Sequence, residues 1–416
     1  MITGKKDLRC GLVGEKLSHS FSPQIHARLA DYSYKLFEMS ESEVGEFIRG
    51  GSFDAVNVTI PYKKTVMPFL DEISDEALRI GSVNTVTHLP DGRLRGDNTD
   101  HFGFSYMLGR AGIDVCGKNV LILGTGGASL TAHAVCSDMG AKSITFVSRG
   151  GEVNYENVYE KCPDCEVIIN CTPVGMYPKN QISPIKLDGF KKLSGVADMI
   201  YNPATTELLF EAKRLNIPCT NGLSMLVAQA KMACELFLGK KIDDGEIDQI
   251  TAEIEAQTKN IILVGMPGCG KSTVGALLAE MTGRELIDTD ALIVENEGRD
   301  IPTIFSHDGE DYFRRAEHNA IRDAGKQSSR IISTGGGVVT REENYRALKQ
   351  NGIIIYIDRD ISELSREGRP LSQSTDLSEM YARRRPMYLT FADYVVKNDT
   401  TPLECAEKIL DIIRKG

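Results

Sequence analysis

The sequence has no apolar run long enough to cross a membrane and no excess of basic residues. Its 416 residues include 48 lysines and arginines against 58 aspartates and glutamates, which gives a net charge of −10. Nucleic acids and anionic membranes attract basic surfaces, so we expect neither as a partner. The first residues also lack the apolar core of a signal peptide, and we therefore expect a cytoplasmic protein.

Metal-binding spacing is missing as well. Ten cysteines are scattered along the chain, and Cys162 and Cys165 form its one CxxC pair. A zinc site would require a second pair or histidines at metal spacing, and neither is present. We interpret this pair as a turn before a strand, and other cysteines such as Cys136 as small buried side chains.

Length and pattern predict several α/β domains. The chain is too long for one ordinary core, and its short apolar strands alternate with amphipathic helices, as in parallel sheets. We predict a substrate-binding α/β domain, a Rossmann-type NADP domain and a P-loop α/β kinase domain with a parallel sheet. The predicted ranges are 1–102 with a returning helix at about 223–239, then 103–222, an acidic linker at 240–258, and 259–416.

A phosphate-binding loop opens the last of these blocks. Gly265, Gly270, Lys271 and Ser272 have P-loop spacing and stand between an apolar strand and an apolar helix. Lys271 is expected to reach the β- and γ-phosphates of ATP, and Ser272 to bind Mg²⁺. The predicted ATP-binding residues of this loop are Gly268, Cys269, Gly270, Lys271, Ser272 and Thr273.

Cys269 has two interpretations. A helix N-terminus and the neighbouring Lys271 favour a reactive thiolate at this position. A tight glycine loop favours a small side chain that is simply enclosed.

Further polar groups follow in the same block. Asp288 and Asp290 stand at the end of a strand, at the sheet edge where ligands bind. Arg314 lies on an amphipathic helix, and three glycines end another strand, where a ligand can approach the backbone closely. In this order, these motifs closely resemble shikimate kinase across the whole block.

The resemblance implies a role for each group. The shikimate carboxylate and ring would be held by arginines, which suit a carboxylate, and by the glycine turn: Arg314, Arg384, Gly335, Gly336 and Gly337. Asp290 would bind the ring hydroxyls and accept the proton of the attacking one. Asp288 would position Mg²⁺ together with Ser272, and Arg369 would close over ATP.

A second nucleotide loop of different design lies earlier in the chain. Four residues follow an apolar strand and open a helix, as a dinucleotide loop does: Gly124, Gly126, Gly127 and Ala128. The next strand ends in Ser148 and Arg149, where an NAD enzyme carries an acid for the ribose 2′-hydroxyl. An arginine suits a 2′-phosphate, so NADP is favoured.

Polar residues of the first block complete a second constellation. Ser20 and Ser22 flank a phenylalanine, Lys63 follows the segment 57–62, and Asp100 ends the segment 97–100. Together with residues 221–229, these segments strongly resemble shikimate dehydrogenase from residue 8 to about 238. The resemblance implies that the substrate is held by Ser20, Ser22, Thr59, Lys63, Asn84, Asp100 and Gln229. It also adds Met199, Tyr201 and Gly222 to the NADP site.

Lys63 and Asp100 would form the proton-transfer pair. Reduction of a ketone requires a proton for the developing alkoxide, which a positioned ammonium supplies while stabilising the charge. Asp100 would keep this lysine charged and oriented.

The combined prediction is a bifunctional enzyme of the shikimate pathway that uses NADPH, ATP and Mg²⁺ on small-molecule substrates, as a monomer or homodimer. It would reduce 3-dehydroshikimate to shikimate and then phosphorylate shikimate. One alternative is a first unit that prefers quinate and NAD, which Arg149 argues against. Another is a non-catalytic sensor, which predicts decay of chemical groups, whereas Lys63, Asp100, Lys271 and Asp290 are intact.

Overall fold

The computed structural model describes residues 8–18, 20–364 and 377–415. The chain divides into two compact units. The first runs to Tyr201 and continues through Thr206–Glu253, and the second comprises Asn202–Thr205 and the chain from Ile254 onward. In the part of the chain that the structure describes, no helix is long and apolar enough to span a membrane.

The first lobe of unit 1 is built on a six-stranded sheet of order β2-β1-β3-β5-β6-β4. Its strands are β1 (Arg9–Gly14), β2 (Ser33–Glu38), β3 (Ala55–Val58), β4 (Glu72–Ile73), β5 (Thr85–His88) and β6 (Leu94–Asp97). Its helices are α1 (Ser22–Leu29), α2 (Glu41–Gly50) and α3 (Asp75–Ile80). Strand β1 is parallel to β2 and β3, whereas β5 is antiparallel to β3 and β6. The parallel strands direct their carboxyl ends toward the cleft described below.

The second lobe of unit 1 has a parallel five-stranded sheet of order β11-β10-β9-β7-β8. Its strands are β7 (Asn119–Leu123), β8 (Ser143–Val147), β9 (Val167–Asn170), β10 (Gly195–Asp198) and β11 (Cys219–Thr220). Its helices are α4 (Asp100–Arg110), α5 (Gly127–Asp138), α6 (Val158–Lys161) and α7 (Glu207–Arg214). Helix α8 (Leu223–Leu238) returns to the first lobe, packs on α1 and α4, and ends at Gly239, whose φ of 62° suits glycine.

The acidic stretch between the units contains helix α9 (Gly245–Thr258). Its isoleucines at 247, 250 and 254 are buried, and its acidic side chains Asp248 and Glu253 pair with Arg110 and Arg28 at 2.6 Å each. The predicted linker is therefore a packed helix along most of its length, because apolar residues at helical spacing stand among the acidic ones.

Unit 2 is a parallel five-stranded sheet of order β13-β14-β12-β15-β16. Its strands are β12 (Asn260–Val264), β13 (Leu286–Asp288), β14 (Ile331–Ser333), β15 (Gly352–Asp358) and β16 (Tyr394–Lys397). Its helices are α10 (Lys271–Thr282), α11 (Thr289–Glu297), α12 (Ile301–Gly325), α13 (Glu342–Lys349), α14 (Leu377–Phe391) and α15 (Pro402–Lys415). The isoleucine-rich β12 and β15 are buried on both faces, as parallel strands covered by helices are. The predicted α/β fold class is confirmed.

Candidate active sites

A cavity of about 660 Å³ lies in unit 1. All of the predicted substrate residues line it: Ser20, Ser22, Thr59, Lys63, Asn84, Asp100 and Gln229. They come from separate places in the chain, namely the turn before α1, the turn after β3, the start of β5, the first turn of α4 and the middle of α8. The tertiary fold therefore brings these separate motifs into one site.

Lys63 and Asp100 form the charged centre of this cavity. Lys63 Nζ donates to Asp100 Oδ2 at 2.6 Å, and the two side chains are only 27% and 14% exposed. Asp100 is the first residue of α4, and its backbone N–H donates to Asn98 Oδ1 at 3.1 Å. This close pairing fixes the direction of the Lys63 ammonium.

Asn84 and Gln229 are held by Thr99. Asn84 Oδ1 accepts from the backbone N–H of Thr99 at 2.8 Å, and Asn84 Nδ2 donates to Thr99 Oγ1 at 3.1 Å. The Thr99 hydroxyl also lies 3.5 Å from Gln229 Oε1. Two amide side chains are thus fixed beside the proton-transfer pair before any ligand binds.

Asn57, which was not among the predicted substrate residues, also lines the cavity and is buried. It donates to Thr85 Oγ1 at 3.2 Å and accepts from Tyr34 Oη at 2.8 Å. Asn57 begins the segment that ends in Lys63, so its position in that motif could have identified it as a site residue from the sequence. The support from Tyr34 on β2 depends on the tertiary fold.

The predicted NADP residues fall into two groups. Met199, Tyr201 and Gly222 line the cavity beside Lys63, whereas the glycine loop and Ser148 and Arg149 lie outside its lining. Gly124 has a φ of 104°, and a Cβ there would come within 3.0 Å of Thr172. At Gly126 and Gly127, which open α5, a Cβ would meet nothing within 4 Å. These two glycines leave open space at a helix N-terminus, the arrangement that favours a phosphate.

Arg149 lies just beyond the end of β8, and its side chain is exposed. Ala128, the last residue of the predicted glycine loop, lies next to Gly127 in the first turn of α5. An exposed guanidinium at this strand end can pair with a 2′-phosphate.

Unit 2 contains the phosphate loop between β12 and α10. Gly265, Gly268 and Gly270 have φ values of 154°, 87° and 101°, which glycine adopts without strain. Lys271 Nζ donates to the carbonyl oxygens of Gly265 and Met266 at 2.9 and 3.0 Å. Its ammonium is thus held over the loop by neutral acceptors that a phosphate can replace.

Cys269 is fully buried within this loop. A Cβ at Gly265 would lie 2.8 Å from the Cys269 sulfur, and Lys271 Nζ lies 3.9 Å from it. The structure therefore favours the enclosed small side chain over the accessible thiolate.

Ser272 and Asp288, the two predicted Mg²⁺ ligands, lie together. Ser272 Oγ donates to Asp288 Oδ2 at 3.0 Å, while Asp288 Oδ1 accepts from the backbone N–H of Asp290 at 3.0 Å and so caps α11. Hydroxyl and carboxylate oxygens next to a phosphate loop suit Mg²⁺, which takes one or two carboxylates together with substrate phosphates. The residues present therefore fit this ion. Thr273 follows, exposed, in the first turn of α10.

A second cavity, of about 340 Å³, opens beside this loop. Its lining contains the predicted shikimate-binding residues together with Lys271, Ser272 and Asp288: Asp290, Arg314, Gly335, Gly336, Gly337 and Arg384. Arg369 lies outside the described residues.

The three glycines are required by close approach. A Cβ at Gly337 would lie 2.0 Å from Arg314 Nη1, and one at Gly335 would lie 2.6 Å from Asp290 Oδ1. A side chain at Gly335 or Gly337 would therefore displace a predicted binding group, and one at Gly336 would lie 2.7 Å from Pro267.

Two buried residues that the sequence analysis did not assign complete this site. Glu317 accepts from Arg314 Nη1 at 2.8 Å, and burial raises the pKa of its carboxyl while Arg314 opposes the shift. Tyr388 Oη donates to the carbonyl of Gly336 at 2.5 Å, and Arg384 Nη1 donates to the same carbonyl at 3.1 Å. Glu317 was detectable from its i,i+3 spacing to Arg314. Tyr388 joins the site only through packing of α14.

Burial of Arg384 lowers the pKa of its guanidinium. Its Nε is buried and has no hydrogen-bond partner among the described residues. A buried cation with a spare donor is suited to a carboxylate ligand.

Fold and sites together define a two-part enzyme, a dinucleotide-dependent oxidoreductase followed by a P-loop kinase. Residues 12–86 match the family model "Shikimate dehydrogenase substrate binding domain", and residues 267–414 match "Shikimate kinase". The chain belongs to the shikimate dehydrogenase family and carries a shikimate kinase domain in its second half. Both predicted enzyme classes are confirmed.

Individual relatives support the first half. The shikimate dehydrogenase (NADP(+)) of Clostridium beijerinckii is 39% identical over 254 residues, covering 56% of this chain and 93% of the relative. A crystal structure of shikimate dehydrogenase 1 from Peptoclostridium difficile is 40% identical, with a TM-score of 0.54 over 60% of this chain and 98% of that one. A chorismate mutase/shikimate 5-dehydrogenase fusion protein from Clostridium acetobutylicum is 36% identical, with a TM-score of 0.56 over 59% of this chain and 96% of that one.

Proposed function

We propose that the chain catalyses two consecutive reactions of the shikimate pathway. Unit 1 reduces 3-dehydroshikimate to shikimate with NADPH, and unit 2 transfers a phosphoryl group from ATP to shikimate, giving shikimate 3-phosphate. The observation that carries the proposal is the Lys63–Asp100 pair at 2.6 Å inside a cavity that also holds every other predicted substrate residue of unit 1.

In unit 1 the substrate carbonyl lies against the Lys63 ammonium. NADPH, when bound, supplies the hydride. Lys63 then donates a proton to the developing alkoxide, and Asp100 stabilises the charged lysine before transfer. Because the Lys63 side chain is 27% exposed, solvent can return the proton after product leaves.

The cofactor site suits a dinucleotide with an additional phosphate. The open space at Gly126 and Gly127 accommodates the pyrophosphate at the N-terminus of α5. Arg149 pairs with the 2′-phosphate, which supports NADP over NAD. Met199, Tyr201 and Gly222 form the wall for the nicotinamide.

In unit 2 the arginines receive the substrate carboxylate and Asp290 receives the hydroxyl proton. Arg314 lies against Gly337, and Arg384 Nη1 donates to the carbonyl of Gly336 at 3.1 Å, so both guanidinium groups contact the glycine turn. Such groups suit bidentate binding of a carboxylate. Lys271 turns from the loop carbonyls to the β- and γ-phosphates. Ser272 and Asp288 would hold Mg²⁺, and the ion would supply positive charge against the phosphates.

A two-part assay of the purified chain tests this proposal. We expect NADPH oxidation with 3-dehydroshikimate, and ADP release with shikimate and Mg²⁺. Faster turnover of quinate with NAD would support the alternative specificity. Ligand binding without turnover at both sites would instead support a sensor.

A further inference from the structure

A buried carboxyl in unit 1 has no part in the mechanism above. Asp198, the last residue of β10, is 0% exposed and directly precedes Met199, which lines the cavity. Asp198 Oδ1 accepts from Asn170 Nδ2 at 3.0 Å and from the backbone N–H of Ile200 at 3.1 Å. Its Oδ2 accepts from Thr206 Oγ1 at 2.7 Å. A buried carboxylate satisfied by neutral donors fixes the backbone around it.

Asn170, the last residue of β9, extends the network to the next loop. Its Oδ1 accepts from the backbone N–H and the hydroxyl of Thr172 at 3.0 and 2.7 Å. Its own carbonyl accepts from the backbone N–H of Met199 at 3.0 Å. The loop after β9 is therefore tied to the loop after β10 by side chains and by backbone.

The network connects the two ends of the predicted cofactor site. On one side, a Cβ at Gly124 would lie 3.0 Å from Thr172 Cγ2, so Thr172 packs against the glycine loop. On the other side, a Cβ at Gly222 would lie 2.2 Å from the carbonyl oxygen of Met199. The glycine loop and the cavity wall are thus linked through Thr172, Asn170 and Asp198.

We propose that Asp198 is a positioning residue of the dehydrogenase, which acts through Asn170 and Thr172 to hold the glycine loop and the Met199–Tyr201 wall at a fixed separation. This inference rests on the proposed function of unit 1. A dinucleotide crosses the sheet edge between these loops, and its reactive carbon has to meet the substrate beside Lys63. A misplacement of about 1 Å can cost roughly 100-fold in rate.

Two substitutions at Asp198 separate its shape from its hydrogen bonds. Asp198→Asn retains one acceptor oxygen, and its amide can donate to Thr206 Oγ1, so we expect NADP affinity and turnover within about threefold of the wild type. Asp198→Ala leaves the backbone N–H of Ile200 and the Thr206 hydroxyl without their acceptor, and leaves Asn170 Nδ2 with the carbonyl of Val174 alone. We expect a Kd for NADP raised at least about tenfold and kcat lowered by roughly 10- to 100-fold.

A milder variant tests the network if Asp198→Ala fails to fold. Thr172→Val keeps the methyl group that packs against Gly124 and removes the hydroxyl bond to Asn170. We expect it to raise the Kd for NADP by about threefold while the Kd for shikimate is unchanged.

The experiment uses the full-length chain. The Kd for NADP and the Kd for shikimate are measured by titration calorimetry, and kcat is measured with NADPH and with NADPH deuterated at the transferred position. A displaced nicotinamide slows hydride transfer, so Asp198→Ala should increase the primary isotope effect on kcat, and Asp198→Asn should restore the wild-type value. Kinase turnover, measured on the same samples, should not change.

The matched control is Cys165→Ala, a buried site just before β9, at the opposite sheet edge. It should lower the melting temperature without changing the isotope effect or the Kd for NADP. The inference is overturned if active wild type and Asp198→Ala share the same isotope effect and NADP affinity, or if Thr172→Val binds NADP normally. A wild-type chain that binds NADP yet oxidises no NADPH would overturn the proposed function instead.

Discussion

The stability of unit 1 should depend on pH through Asp198. Burial raises the pKa of its carboxyl to about 6, although hydrogen bonds from Thr206, Ile200 and Asn170 oppose the shift. In the unfolded chain an aspartate titrates near pH ~3.9. The folded state therefore binds this proton more tightly, and its contribution to stability, fully present below about pH 4, is lost as pH rises to about 6.

Asp198→Asn is neutral at every pH and removes this titration. From pH 4 to pH 7 the stability of the wild type relative to the variant should fall by about 2 kcal/mol. The full pKa difference of about two units corresponds to about 3 kcal/mol at about 1.4 kcal/mol per unit, and part of it is already lost at pH 4, where the unfolded aspartate is half ionised. For a unit of this size a change of about 2 kcal/mol corresponds to roughly 4 to 8 °C in melting temperature.

Differential scanning calorimetry of the full chain measures the effect. The transition that belongs to unit 1 is the one that NADP shifts upward. Asp54→Asn provides a control with the opposite pH dependence. Burial raises the pKa of Asp54, but the hydrogen bonds from Arg9 outweigh it, so the pKa is lowered. The contribution of Asp54 to folding stability is therefore lost as pH falls. A gap between wild type and Asp198→Asn that stays constant from pH 4 to pH 7 would refute the reasoning.

Three further predictions concern the two sites and the division between them. Lys63→Ala should lower dehydrogenase turnover by roughly 100-fold or more with normal kinase activity; nearly normal turnover would show that Lys63 is not the proton donor. Arg384→Lys retains charge without the planar fork, so the KM for shikimate should rise while the KM for ATP stays constant; an equal rise in both would move Arg384 to the nucleotide site. A fragment of residues 1–258 should keep dehydrogenase activity, since it includes all of α9; an inactive fragment would show that unit 1 depends on the rest of the chain.

The sequence predicted the parts of the sites that local spacing encodes. Glycine loops after strands, Lys63 at the end of its segment and Asp288 at a strand end are all local patterns, and parallel strands bring such ends to one sheet edge. The substrate residues of unit 1 could be grouped only through the family resemblance, because α8 returns from more than a hundred residues away.

The side chains that support the site residues from distant segments could not be predicted from the sequence. Tyr34 behind Asn57, Tyr388 behind Gly336, and Asp198 between two loops act through packing between distant segments, which no periodicity reveals. Helix α9 was interpreted as a linker because its acidic residues dominate the composition. Its isoleucines are buried all the same.

The central claim is that one chain makes shikimate and then consumes it. The most direct test supplies 3-dehydroshikimate, NADPH, ATP and Mg²⁺ together and follows NADPH oxidation and ADP release in the same sample. We expect both signals from the wild type, both slowed by roughly 100-fold or more in Lys63→Ala, and full recovery of ADP release from Lys63→Ala when shikimate is added. ADP release from Lys63→Ala at the wild-type rate without added shikimate, or no recovery after its addition, would contradict the account.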